Sequence, residues 1–254
     1  MRSEMYTATQ GLIARQLQLD AVANNIANAS TTGYRETSPF FRSFNAALED
    51  DGPVNVLNNA ANNQPVAAGV FMHDKQGGLK ATDNPFDMAI VGDGFFKVDT
   101  PNGVRYTRNG HFKLNPINDE TGRLITAEGW EVLGTNGNPI QVNLRPDSTY
   151  ITHEGRVIQD GAELGQIAVV TFADKTTLMP EENTSIFNQD PNAPEIAAQN
   201  AMVRSGFLET SNVNIAKQMI DMITAHRAYE ANARTIKTID TGMNQTVING
   251  FGVR

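Results

Sequence analysis

The chain has 254 residues, 40% of them apolar and 19% charged, enough for one or two domains with a sizeable core and too apolar for wholesale disorder. Against 28 acidic side chains stand 20 basic ones, and the net charge of −8 argues against broad electrostatic binding to nucleic acid or anionic lipid. The lack of cysteine removes disulfides, thiolate metal sites, iron–sulfur clusters and cysteine nucleophiles.

No stretch approaches the ~20 apolar residues that span a bilayer. The opening residues carry charge at Glu4 and Arg15 and have no apolar run, so they do not read as a cleaved leader. The acid is unevenly placed. Residues 1–45 hold four basic and three acidic groups, residues 207–254 hold five and four, and the middle holds 11 and 21. The ends and the middle therefore have different work.

The first segment predicts a helix over about Glu4 to Asn28. Met5, Ala8, Leu12, Arg15, Leu19, Val22 and Ile26 alternate steps of three and four, and all but Arg15 are apolar. That is the seam of a coiled coil. Ser30-Thr31-Thr32-Gly33 ends it, because hydroxyls compete for backbone and glycine tolerates positive φ.

Residues 35–81 read as an extended connector that includes the amide-rich run Asn55–Pro65. The period then changes. Short apolar runs predict strands near 87–91, 94–99, 104–108, 111–114, 124–126, 131–133, 140–142, 150–152, 157–159 and 166–172. Turn pairs such as Asn109-Gly110, Asn136-Gly137 and Glu154-Gly155 separate them, which means an all-β domain over about 82–206.

The last segment predicts a helix over about Asn212 to Ile248, capped by Asn212 or Ser211. Its seam is Ile215, Met219, Met222, His226, Tyr229, Ala233, Ile236, Asp240, Met243 and Val247, flanked by Ala216, Ile220 and Ile223. The fold class is α+β: long N- and C-terminal helices around a central all-β domain of short strands. The divisions fall at 1–34, 35–81, 82–206 and 207–254. Full burial of the two seams does not offset the conformational entropy of ordering both ends. The helices are therefore expected to be weakly ordered in a lone chain and fully packed among neighbouring copies. The alternative from pattern alone is a two-helix hairpin that covers the β domain.

Catalytic patterns are weak. His73, His111, His153 and His226 form no HxxxH or HExxH pair. Gly92-Asp93-Gly94 lacks the third glycine and the following helix of a dinucleotide site. Asn118-Asp119-Glu120-Thr121-Gly122 reads as a hairpin tip rather than a calcium loop. Asp83, Asp87 and Asp93 read as a solvated turn, and no nucleophile elbow occurs. No catalytic, cofactor or metal residue is assigned.

Three blocks resemble the flagellar basal-body rod and hook proteins. The first is Ala23-Asn24-Asn25-Ile26-Ala27-Asn28 with Ser30-Thr31-Thr32-Gly33-Tyr34. The second is Gly92-Asp93-Gly94-Phe95-Phe96 with Tyr106-Thr107-Arg108-Asn109-Gly110. The third is Glu209-Thr210-Ser211-Asn212-Val213-Asn214, then Met219-Ile220, then Arg227-Ala228-Tyr229-Glu230-Ala231-Asn232. Leu133-Gly134 through Gly137-Asn138-Pro139-Ile140 is closer to the proximal rod proteins of F type, with the distal G type next. Arg15 and the 55–65 run do not fit the family pattern.

The resemblance implies a structural subunit of the rod that crosses the periplasm. Such subunits leave the cell through the flagellar export apparatus without a cleaved leader and assemble beneath a rod cap. Their terminal helices pair as an inner coiled coil. The implied partners are copies of itself and other rod proteins, with no nucleic acid, no membrane insertion and no cofactor. Candidate assembly residues are Met5, Leu12, Leu19, Val22 and Ile26 on the first helix. On the second they are Ile215, Met219, Met222, Ile223, Tyr229, Ile236, Met243 and Val247. The competing reading is a secreted acidic β-domain enzyme or ligand-binding module with a helical oligomerisation stalk.

Overall fold

A computed structural model describes residues 2–43, 65–146, 148–173, 175, 178–180, 186–188, 194–198 and 200–251. Side chains at 2–8, 41–43, 65–69, 179–180, 186–188 and 243–251 lie outside that description. So do those of Met5, Met243 and Val247, and the amide-rich run up to Gln64. Two helices bracket the chain, α1 over Arg2–Ala27 and α2 over Ile215–Phe251, with strands between them. The chain divides into two compact units. One comprises Met1–Ile26, Thr37–Phe71 and Asn214–Arg254, and the other Ala27–Glu36 and Met72–Val213.

In the first unit, α1 and α2 lie side by side and antiparallel. Asn25 Nδ2 donates to Gln218 Oε1 at 3.2 Å. Fourteen residues back along α1 and fourteen forward along α2, a Cβ on Gly11 would sit 3.2 Å from Asn232 Nδ2. Fourteen residues are two heptads, the interval at which a coiled-coil seam repeats. Strands Thr37–Ser43 and Pro65–Met72 pair with each other. The N-cap of α2 is Asn214, whose Oδ1 accepts from the backbone N–H of Lys217 at 3.1 Å. The expected caps have other work: Ser211 Oγ accepts from Val213 N, and the Asn212 amide is spent inside the second unit.

The second unit is the β body. Phe95–Thr100 is its central strand, antiparallel to Gly103–Thr107 along one edge and to Glu131–Val132 and Val169–Phe172 along the other. Successive side chains on a strand face opposite ways, and here both directions are buried. Phe96 and Val98 enter a cluster with Met88, Ile90, Phe112, Leu124, Val132, Val157 and Val203. Phe95 enters a second cluster with Met72, Tyr106, Phe172 and Leu178. Rings meet edge to face in both, Phe96 on Phe112 at 5.1 Å and Tyr106 on Phe172 at 4.9 Å.

Nine of the ten expected strands appear within a few residues of their places. The tenth, 166–172, divides into Ala162–Gln166 and Val169–Phe172, because Ile167 turns into the core and bridges Gly134. Leu79–Ala81, in the expected connector, pairs with Phe207–Glu209, in the expected last segment. Met202–Ser205, inside the expected β domain but not among its expected strands, pairs with Met88–Val91. The body is thus closed by its own C-terminal strands.

Candidate assembly surface and helix-root junction

The three sequence blocks converge at one place in the body. Gly33 has φ +69°, and a Cβ there would lie 2.3 Å from Asn109 N and 2.4 Å from the Arg108 carbonyl carbon. Only glycine permits both the left-handed backbone and that approach. Gly33 N–H donates to the Glu209 carbonyl at 2.8 Å, and Thr32 Oγ1 donates to Asn109 Oδ1 at 2.7 Å. Asn109 Oδ1 also accepts from His111 N, and Gly110 lies so near Met88 that a Cβ would stand 1.6 Å from its carbonyl oxygen.

A buried ion cluster occupies this junction. Glu209 is 2% exposed; its Oε1 lies 3.0 Å from Arg35 Nη2 and its Oε2 3.3 Å from Arg108 Nη1. Oε1 also accepts from Gly77 N at 3.0 Å. Arg108 donates further to the carbonyls of Gly92 at 2.7 Å and Ile90 at 3.3 Å. Asp74 lies 3.8 Å from Arg35 and pairs with Lys175, which reaches Asp93 at 3.1 Å. Burial, then the neighbouring Arg35 charge, push the Arg108 guanidinium down to about 10, against the opposing pull of Glu209. The Asn212 amide completes the knot. It accepts from Glu36 N at 2.6 Å and donates to the carbonyls of Lys75 at 2.7 Å and His73 at 3.3 Å. The junction thus holds the residues just after α1 and just before α2.

On α1, Ala21, Val22 and Asn25 are buried and Gly11, Leu12, Ala14, Gln18, Leu19 and Ile26 half-buried, so small and amide residues share the burial with the apolar residues of the predicted seam. On α2, Gln218 and Ala225 are buried and Met222, Tyr229, Asn232, Ala233 and Ile236 half-buried, which includes Met222, Tyr229, Ala233 and Ile236 of the predicted seam. Asn25 is 1% exposed and fully engaged, donating to Thr37 O at 2.8 Å and accepting from Thr37 N at 2.9 Å besides its bond to Gln218. Arg15 now makes sense as an exposed residue bonded to Gln18 at 2.7 Å, and His226 is exposed as well.

The larger apolar side chains of the two helices differ in exposure. Leu12, Leu19 and Ile26 are half-buried, and Val22 is buried. On α2, Ile215, Met219, Ile220 and Ile223 are 43%, 52%, 65% and 55% exposed. Ile220 stands about 200° round the helix from Gln218. A groove of about 560 Å³ between the helices is lined by Leu19, Ala23, Met222 and Ile223, with Asp20, His226, Arg227 and Glu230 at its polar margin.

Among the residues weighed for catalysis in the sequence, Asp87 is buried and holds His111 Nδ1 at 2.8 Å, while Asp83, Asp93 and His153 are exposed. Asn118 caps a hairpin tip, accepting from Thr121 N at 2.6 Å. Among the described residues no group of three or more His, Asp or Glu could hold a metal ion, and no helix is long and apolar enough to cross a membrane.

Three family models match in chain order. They are described as flagella basal body rod protein (residues 5–35), flagellar hook protein FlgE/F/G D1 domain (89–159) and flagellar basal body rod FlgEFG protein C-terminal (204–249). The flagellar basal-body rod protein FlgF of Rhizobium meliloti is 32% identical, over 91% of this chain and 90% of its own length. The chain belongs to the flagellar basal-body rod protein family. The rod protein FlgG of Agrobacterium fabrum is 33% identical over 94% of this chain and 96% of its own. That of Bacillus subtilis is 30% identical over 97% and 98%. Relatives of both types match to the same degree, so the sequence preference for F type gains nothing from them.

Sequence reasoning missed the Arg35–Glu209–Arg108 cluster. The usable signal was charge inside the motif blocks: Arg108 and Glu209 lie within two of them and Arg35 directly follows the third.

Proposed function

We propose that the protein is a structural subunit of the bacterial flagellar basal-body rod that joins copies of itself and other rod proteins through its terminal helices. Family membership supports the rod role, and no comparison favours the enzyme or ligand-binding alternative. The observation that carries the helical contact is the apolar stripe Ile215, Met219, Ile220 and Ile223, which the pairing of α1 with α2 leaves uncovered. Four large apolar side chains in three turns are a costly surface to keep in water. Neighbouring subunits are the occupants this reading assigns to it.

The inward faces, repeating at heptad intervals, support an antiparallel coiled coil within each subunit. The two ridges then divide the labour. Residues such as Asn25, Gln218, Met222 and Tyr229 hold the pair, and the exposed Ile215, Met219, Ile220 and Ile223 are left for neighbours. Contacts that repeat without closing build a helical array, and many small apolar contacts give it the stiffness a torque-bearing shaft needs. The rod crosses the periplasm in this reading. Its subunits arrive through the flagellar export apparatus and are placed beneath the rod cap. No enzymatic step is assigned.

Removing residues 213–254 tests the proposal in a strain that lacks the native gene. The truncated chain keeps Glu209 and Asn212, so the β body is expected to fold while flagella fail to form. Normal flagella built from that chain would refute the helical contact.

A further inference from the structure

We propose that the segment Met202–Asn212 is a folding interlock: the β body holds its fold only once this segment is seated, because it brings the carboxylate shared by two buried arginines and the partner strands of two others. This goes beyond the rod reading and does not depend on which surface joins copies.

The charge argument comes first. Arg35 and Arg108 are each 1% exposed, and Glu209 at 2% lies against both. Glu209 follows Arg108 by 101 residues and Arg35 by more. A chain made from its N-terminus therefore holds both cations long before their counter-ion. Burying a guanidinium without a partner is costly enough to block collapse around it. Asp74 does not replace Glu209. It stands 3.8 Å from Arg35, is one-third exposed, and is already engaged by Lys175.

The backbone argument is independent. Without the segment, Leu79–Ala81 and Met88–Val91 each lose the strand they pair with. Gly33 N loses the Glu209 carbonyl, Gly77 N loses the Glu209 carboxylate, and Thr82 N loses the Gly206 carbonyl. Val203 leaves the core cluster that holds Phe96 and Phe112. Asn212 releases Glu36, His73 and Lys75. Segments before and within the main sheet are thus tied to one short stretch near the end of the body. The device leaves an incomplete chain open, which suits a subunit that must stay extended until all of it has been delivered.

Native-state hydrogen exchange on the full-length protein tests the interlock. The amides of Phe95–Thr100, Gly103–Thr107 and Met202–Glu209 should open together, with one shared protection factor and one shared denaturant dependence. The Glu209→Gln variant should lower protection in all three by the same factor, about a hundredfold or more. Should Glu209→Gln fail to fold, the wild-type comparison decides alone. The triple variant Arg35→Met, Arg108→Met, Glu209→Met removes the buried charges together and should recover most of the lost protection. Exchange of Met202–Glu209 well before an undisturbed central sheet would overturn the proposal. So would a Glu209→Gln protein with wild-type protection throughout.

Discussion

The exposed stripe on α2 gives a sharp test through Ile220→Asp. Ile220 is 65% exposed, so the single chain already buries about a third of it. Full burial of an isoleucine contributes about 1.5–3 kcal/mol, so the substitution should cost the monomer about 0.5–1 kcal/mol. At a contact between copies the loss is larger. The remaining two-thirds of the side chain contributes about 1–2 kcal/mol there. A carboxylate forced into the same apolar contact without a partner adds several kcal/mol more. Each subunit contact should therefore weaken by more than about 3 kcal/mol, or about a hundredfold in its equilibrium constant. Two measurements separate the effects. Urea unfolding of the purified variant reads the monomer. Swimming, together with the presence of the variant in isolated basal bodies, reads assembly. Thr235→Asp, at an exposed position about halfway along α2 and beyond the stripe, is the control and should swim. An Ile220→Asp protein incorporated into working flagella would refute the assignment of this face. An assembly defect traced to a monomer that melts on its own would refute the magnitude argument.

Two further substitutions probe the units separately. Asn25→Ala removes four bonds at once and leaves Thr37 N–H, Thr37 C=O and the Gln218 amide short of partners in a buried place. It should destabilise the helical unit by about 3 kcal/mol. The helical circular dichroism should fall at lower urea, while fluorescence of Trp130, the single tryptophan, reports an unchanged β body. Lys97→Met addresses pH. Burial pushes the Glu195 carboxyl up, but hydrogen bonds from Lys97 Nζ at 2.8 Å and Tyr106 Oη at 2.5 Å hold it below its ordinary value of 4.5. A depressed carboxylate contributes stability that is present above 4.5 and lost as pH falls through its folded value. Lys97→Met should therefore lower the urea midpoint near neutral pH, and the difference from wild type should shrink as the solution is acidified below 4.5. A pH-independent difference would show that Lys97 acts through packing alone.

What could be read from the sequence follows the physics of each element. The helices at both ends were legible because a 3.5-residue apolar rhythm survives over many turns, and nine strands were legible because turn glycines bracket them. The burial of Gly11, Ala14 and Ala21 beside the predicted seam was not legible, because residues of so little hydrophobic weight leave no mark on an apolar rhythm. Arg15 broke that rhythm, and it is exposed. The strands Leu79–Ala81, Met202–Ser205 and Phe207–Glu209 were not legible. Three or four residues are too few to show a period, and their partners lie more than a hundred positions away.

The motif blocks have a different lesson. Read along the chain, the first and third flank the helices and the second lies among strands, but members of all three, Thr32, Gly33, Asn109, Glu209 and Asn212, meet in the β body. A residue such as Gly33 at φ +69°, pressed on the Arg108–Asn109 peptide, tolerates no side chain for reasons unrelated to helix pairing. These blocks therefore fix, within the β body, the segments that follow α1 and precede α2. A buried, multiply bonded cluster of opposite charges suits that place, since it loses far more when one partner leaves than an exposed pair would.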